Sequence, residues 1–135
     1  MKTRIIALYG PANVGKTTTL KIVLVSLEKR RGAVSTRFID LTDIRAIISI
    51  GKLKIGIESQ GDPASRLPES LNLFIREGCH IIICATRTRG ATVDAVKAHA
   101  AREDITWIQK ISSATENERS RLDAACASEI LAKIP

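Results

Sequence analysis

The chain has 135 residues, of which 44% are hydrophobic and 26% charged, and a formal net charge of +7. This ordinary globular balance suits a single domain spanning 1–135, with a core of several strands covered by helices. No apolar run approaches the ~20 residues of a membrane span, and aromatics at 3% leave Ile, Leu, Val and Ala to build the core.

Taken in order, the segments alternate between strand-like and helix-like patterns, which predicts an α/β fold with a mostly parallel sheet of five or six strands and helices on both faces. The start, Met1-Lys2-Thr3-Arg4-Ile5-Ile6-Ala7-Leu8, is basic and then apolar. Its apolar stretch is short and runs into a glycine loop, so it reads as a first strand over 4–9 rather than a signal peptide, and the expected compartment is the cytoplasm. Leu20, Val23, Leu24 and Leu27 recur at helical spacing over 16–31, with Gly32 as the stop. A second strand is expected from Ser35 to Asp40. Residues 45–50 and 53–58 form two β-rich runs joined by Gly51-Lys52, which predicts a hairpin; a helix over 43–50 is the rival. In the second run Leu53, Ile55 and Ile57 take one face, and Lys54, Gly56 and Glu58 the other.

Gly61-Asp62-Pro63 interrupts the pattern, and a helix is expected from about 68 to 77 with Leu67, Leu71, Phe74 and Ile75 inward. The continuous apolar run at 80–85 predicts a fully buried strand. A helix over 92–102 and a strand over 105–111 follow, and Thr115-Glu116-Asn117-Glu118 reads as a capping box opening a last helix over 116–133.

Cys79, Cys84 and Cys126 cannot all pair within one chain. A zinc site from Cys79, His80 and Cys84 lacks a second ligand pair, and Cys84 closes an apolar run where cysteine behaves as a small hydrophobe. The net charge admits nucleic acid, an acidic partner or a polyphosphate site. Without aromatics interleaved among the basic residues, however, there is no material for a stacking platform, and Lys29-Arg30-Arg31 reads as a helix end.

The segment Gly10-Pro11-Ala12-Asn13-Val14-Gly15-Lys16-Thr17 fits G-x-x-x-x-G-K-[ST] in full, after a predicted strand and at the opening of a predicted amphipathic helix. Glycines let the backbone wrap a polyphosphate with its amides turned inward, and the helix N-terminus adds partial positive charge. Lys16 can reach the β- and γ-phosphates, the Thr17 hydroxyl can ligate magnesium, and Thr18 continues the cradle. Asn13 either orients the γ-phosphate or serves the turn.

This segment resembles the Walker A motif of the P-loop NTPase superfamily. The resemblance implies a three-layer P-loop fold, ATP or, second to it, GTP as ligand, Mg2+ as cofactor, and a carboxylate beside the metal. Glu58 and Asp62 are the candidates for that carboxylate. Glu58-Ser59-Gln60-Gly61 is similar to the D-x-x-G loop of Ras-like GTPases, with Glu in place of Asp, and Gln60 is placed to position a water. Arg87 and Arg89 follow a buried strand, where arginines either stabilise transferring phosphate or form a solvated loop. Phe38-Ile39-Asp40-Leu41-Thr42-Asp43 resembles a stretch of shikimate-type kinases in which an aspartate contacts magnesium; Asp43 otherwise reads as a cap or turn residue. The guanine-reading N-K-x-D motif is absent, which tilts the base toward adenine, and Ser112-Ser113-Ala114-Thr115 is a positional candidate for holding it. The implied activity is ATP hydrolysis, with a kinase or a nucleotide-dependent switch as alternatives, and with a homodimer or protein partner completing the site.

Overall fold

The computed structural model describes residues 2–135, so Met1 of the predicted N-terminal segment lies outside the described residues. Its elements are β1 (Arg4–Tyr9), α1 (Lys16–Glu28), β2 (Ala33–Asp40), β3 (Ile44–Ile50), β4 (Leu53–Glu58), α2 (Leu67–Arg76), β5 (Ile81–Thr86), α3 (Ala91–His99), a short 3-10 turn (Arg102–Asp104), β6 (Ile105–Gln109) and α4 (Glu116–Leu131). The strands form one six-stranded sheet in the order β2-β3-β4-β5-β1-β6. From β4 through β5 and β1 to β6 the pairing is parallel, while β3 is antiparallel to both β2 and β4. The expected α/β class holds, and the sheet is mixed, since one end is a local meander of hairpins.

β1 and β5 are apolar on both faces because helices cover both. Ile6 and Leu8 pack with Leu20, Val23, Leu24 and Leu27 of α1 and with Ala127 and Ile130 of α4. The alternate residues Ile5 and Ala7 pack with Leu67, Leu71 and Phe74 of α2 and with Val96 of α3. The sheet therefore lies between two helical layers. No helix among the described residues is long and apolar enough to cross a membrane.

The predicted hairpin is present, with Ile50 opposite Leu53 and Arg45 opposite Glu58. The alternation in β4 separates the two faces, yet both are buried. Ile55 and Ile57 join the α1 side, while Gly56 lies under the Phe74 ring of α2. One inward assignment is corrected. Leu67, Ser70, Leu71 and Phe74 make the buried stripe of α2, whereas Ile75 is 40% exposed, because a helix advances about 100° per residue and carries it past the edge of that stripe. Thr115 caps α4 as expected, its hydroxyl accepting from the Glu118 N–H at 3.3 Å.

The three cysteines are free, and Cys79 and Cys84 are buried. Burial pushes the Cys79 thiol up to about 11 and the Cys84 thiol up to about 12. His80 Nδ1 accepts the Lys54 N–H at 3.0 Å, so this ring nitrogen serves the hairpin.

A Cβ at Gly56 would sit 2.5 Å from Phe74 Cγ. Gly56→Ala should therefore destabilise the fold by about 1–3 kcal/mol through overpacking, seen as a lower urea midpoint. Phe74→Leu in the same chain should recover part of that loss, a coupling readable by a double-mutant cycle.

Candidate functional site

The loop after β1 and the first turn of α1 form the floor of a cleft of about 620 Å³. Asn13 (φ 62°) and Gly15 (φ 95°) lie in the left-handed region, which turns the backbone back on itself. Gly15 is also a close approach: a Cβ there would lie 2.5 Å from Asp123 Oδ1. The first helical hydrogen bond runs from the Thr19 N–H to the Gly15 carbonyl at 3.0 Å. Upstream of it, apart from a loose turn at residues 12–13, the amides of residues 12–18 donate no hydrogen bond among the described residues. Donors at a helix start are unsatisfied by construction and carry the positive end of its dipole, so this run of amides is suited to an anion.

Lys16 is 8% exposed. Its ammonium donates to the Gly10 carbonyl, to the Thr86 carbonyl at 2.8 Å and to the Pro11 carbonyl at 3.1 Å. Burial lowers its pKa from 10.5 to about 8, Arg87 adds to the effect and Asp62 opposes it. The cation is thus held at the cleft floor by carbonyls that an anionic oxygen can replace.

The carboxylate beside Thr17 is Asp43. The Thr17 hydroxyl donates to Asp43 Oδ1 at 3.0 Å, and the Ser59 hydroxyl donates to the same oxygen at 2.9 Å. Ser59 is fixed in turn by the Ile44 N–H, which donates to its hydroxyl at 2.8 Å. The turn between β2 and β3 therefore brings an acid to the cleft that the reading of Asp43 as a cap or turn residue did not anticipate. Asp40 points elsewhere and pairs with Arg37 at 3.0 Å.

Glu58 requires a correction. It is fully buried and does not line the cleft. Strand alternation puts it on the face of Gly56, toward α2. There Arg66 donates to Oε1 at 2.7 Å and to Oε2 at 3.0 Å. The Ser70 hydroxyl donates to Oε1 at 2.6 Å, and the Gln60 N–H to Oε2 at 3.0 Å. With Arg45 Nε at 3.6 Å as well, both oxygens are occupied, and Glu58 anchors the loop that follows β4 instead of facing a metal.

That loop lines the cleft through residues 59–62. The Gln60 side-chain carbonyl accepts the Arg66 N–H at 3.0 Å, leaving its amide group unengaged. Asp62, with a side chain 64% exposed, pairs with Arg87 at 3.0 Å. Neither Arg87 nor Arg89 lines the cleft; Arg87 is tied to its rim through Asp62, whereas Arg89 is exposed. Of the loop proposed for the base, Ser113 and Ala114 offer their carbonyls to Arg119, and the wall beyond is formed by Glu116, Arg119, Ser120 and Asp123 of α4.

Sequence reasoning missed Lys110 and Asp123. Lys110, 2% exposed, donates to the Val14 carbonyl at 2.9 Å and lies 2.8 Å from Asp123 Oδ1. It ties the cradle loop to β6 and α4. The only signal was a lysine directly after an apolar strand, and nothing local to the sequence shows that this strand lies beside β1.

The donor set fits a magnesium-bound polyphosphate. Thr17, Asp43 and Asp62 line the cleft with hard oxygens, and magnesium is commonly held by one or two carboxylates with phosphates supplying the rest. Among the described residues no group of three or more His, Cys, Asp and Glu is placed to hold a metal, so an ion here would need ligand oxygens from a bound phosphate to complete its shell.

No family model matches the chain, and no curated protein or solved structure matches it.

The unfolded chain keeps the Lys16 proton up to its ordinary 10.5 and the folded one only to about 8, so folding stability should rise with pH across that window. A bound phosphate favours the charged lysine, so anion affinity should be full below about pH 8 and then fall by up to about tenfold per pH unit. Calorimetry at pH 8.5 in buffers of different ionisation enthalpy should accordingly show proton uptake on binding. Separately, Glu58→Gln leaves Arg66 and Arg45 without their buried counter-charge and should cost about 3 kcal/mol in denaturant unfolding. Asp43→Asn should cost about 1 kcal/mol.

Proposed function

We propose that this chain is a P-loop NTPase that binds a magnesium nucleoside triphosphate, with ATP preferred over GTP, and hydrolyses it. The observation that carries this reading is the unpartnered run of amides at residues 12–18, closed around Lys16 at the N-terminus of α1. The position of the cleft supports it too. It opens beyond the carboxyl ends of β1 and β4, the edge at which open α/β sheets bind ligands.

In this reading the amides of 12–18 and the Lys16 ammonium take the phosphate oxygens, with Lys16 exchanging its carbonyl partners for them. The Thr17 hydroxyl and Asp43 would hold the magnesium, which would supply positive charge against the triphosphate. The amide of Gln60, held by its bond to the Arg66 N–H, orients the attacking water. Arg87, released from Asp62, stabilises charge on the transferred phosphoryl group. Asp62 is then free to accept a proton or to join the metal shell.

Phosphoryl transfer to an acceptor other than water is the second reading. The exposed Asp62–Arg87 pair at the rim of the cleft favours it, because an acceptor hydroxyl placed there would meet both a carboxylate and a guanidinium.

Thermal unfolding with Mg-ATP, with Mg-GTP and without nucleotide tests the proposal. At 100 times its dissociation constant a ligand adds about 2.7 kcal/mol, so Mg-ATP should raise the wild-type midpoint clearly and leave Lys16→Ala unmoved. Phosphate release should accompany binding in wild type and be lost in Asp43→Asn. A wild type that neither nucleotide stabilises contradicts the proposal, and stabilisation without phosphate release moves the assignment to the acceptor reading.

A further inference from the structure

The chain has one tyrosine and one tryptophan, and the fold brings them together. Tyr9 closes β1 and Trp107 lies in the adjacent β6, both on the α3 side of the sheet. Their rings form an edge-to-face pair with centroids 6.2 Å apart and an interplanar angle of 77°. They wall a second cleft of about 240 Å³ together with Thr88, Val93 and Lys97.

This cleft has features that core packing does not call for. Both rings are only half-buried. Within the chain, the Tyr9 hydroxyl, the Trp107 indole N–H, the Thr88 hydroxyl and the Lys97 ammonium have no hydrogen-bond partner among the described residues, and Lys97 forms no ion pair. Lys97 stands on the exposed face of α3 at the rim. An apolar aromatic wall with a few convergent polar groups is the usual make-up of a small-molecule site, and the volume lies below the ~300–1,000 Å³ of drug-sized pockets. One ring system fits, with its substituents extending toward the rim.

We propose that this cleft binds a planar aromatic ring carrying an anionic group, the ring lying against Tyr9 and Trp107 and the anion meeting Lys97 and Thr88. A ring gains edge and face contacts with the aromatic pair. The anion gains a charge-assisted hydrogen bond from an ammonium that forms no ion pair, with Asp94 one turn before it on α3 as the neighbouring acid. The site is separate from the triphosphate cradle but backs onto it. Tyr9 is followed by Gly10, and Thr88 lies two residues beyond Thr86, whose carbonyl holds Lys16. The inference does not rest on the triphosphate reading.

Because Trp107 is the only tryptophan, its fluorescence reports occupancy directly. Wild-type protein is titrated with AMP and with 4-hydroxybenzoate as the two ring-plus-anion probes, and with adenosine and inorganic phosphate as the ring alone and the anion alone. At least one ring-plus-anion probe should change the emission saturably. Adenosine should bind about tenfold or more weakly than AMP if the nucleotide is the better probe, and phosphate should leave the emission unchanged. Whichever of AMP and 4-hydroxybenzoate binds more tightly identifies the source as a nucleotide or an aromatic acid. Lys97→Ala should bring the charged probe down to the affinity of the uncharged ring, and Lys97→Arg should restore it. Lys16→Ala, expected to abolish binding in the cradle, separates the two sites: a saturable response that persists in it belongs to this cleft. The proposal is overturned if neither ring-plus-anion probe gives a saturable change, if Lys97→Ala binds as wild type does, or if the response disappears in Lys16→Ala.

Discussion

A run of peptide N–H groups without acceptors is costly to keep at the floor of a cleft, and the architecture around residues 12–18 is arranged to hold it there. The β1 strand delivers the chain to the loop between two parallel neighbours, and α1 begins at once after Gly15. Lys110 and Asp123 press on the loop from behind through the Val14 carbonyl and the space left by the missing Cβ of Gly15. Lys16 sits at the centre, its charge tolerated because three carbonyls solvate it in place of water. An unsatisfied amide costs on the order of 1–3 kcal/mol when it is removed from water. The cleft is open, so solvent or a ligand can relieve that cost. In the proposed reading an anion of the right shape would relieve more of it than water does, and this preorganisation would be the source of its affinity.

Two acids that flank the loop after β4, Glu58 and Asp43, sit in opposite environments. Glu58 is buried with two arginines, a serine hydroxyl and a backbone amide. It is held rigidly, and through the Gln60 N–H it fixes where the cleft-lining loop begins. Asp43 is half-buried, shares one oxygen between Thr17 and Ser59, and faces the cleft. A charge that stays solvated on one side can exchange partners when a metal arrives; one with every lone pair taken inside the core cannot do so without a large loss. The division of labour follows from burial, with no need for a difference between the two side chains.

The extent to which this was legible in the sequence varies with the range of the interactions. The loop at residues 10–18 is entirely local: strand, glycines, lysine and helix are contiguous, so it could be read directly. The hairpin over 45–58 is local in the same way, as is the Thr115 cap. Strand order is not. Nothing between residues 58 and 105 shows that β5 inserts between β4 and β1, or that β6 takes the other side of β1, and so Lys110 and Asp123 stayed hidden. Glu58 was misplaced for a related reason. Its position directly after an apolar strand suited a metal ligand, and its alternation with Gly56 put it on the face opposite Ile57, but only the presence of α2 with Arg66 and Ser70 reveals that this face is a closed core. Ile75 marks the same limit on a helix, where an apolar residue at the edge of the stripe can fall on either side.

The most direct test of the account is backbone amide NMR on the isotopically labelled chain during titration with Mg-ATP. If the cradle holds the triphosphate, the amide resonances of residues 12–18 should shift most and saturate together. Lys16→Ala should abolish those shifts while leaving the β-sheet resonances in place. If Mg-ATP leaves these amides where they were, or moves only residues remote from the loop, then the unpartnered N–H groups are not an anion site, and the central claim is contradicted.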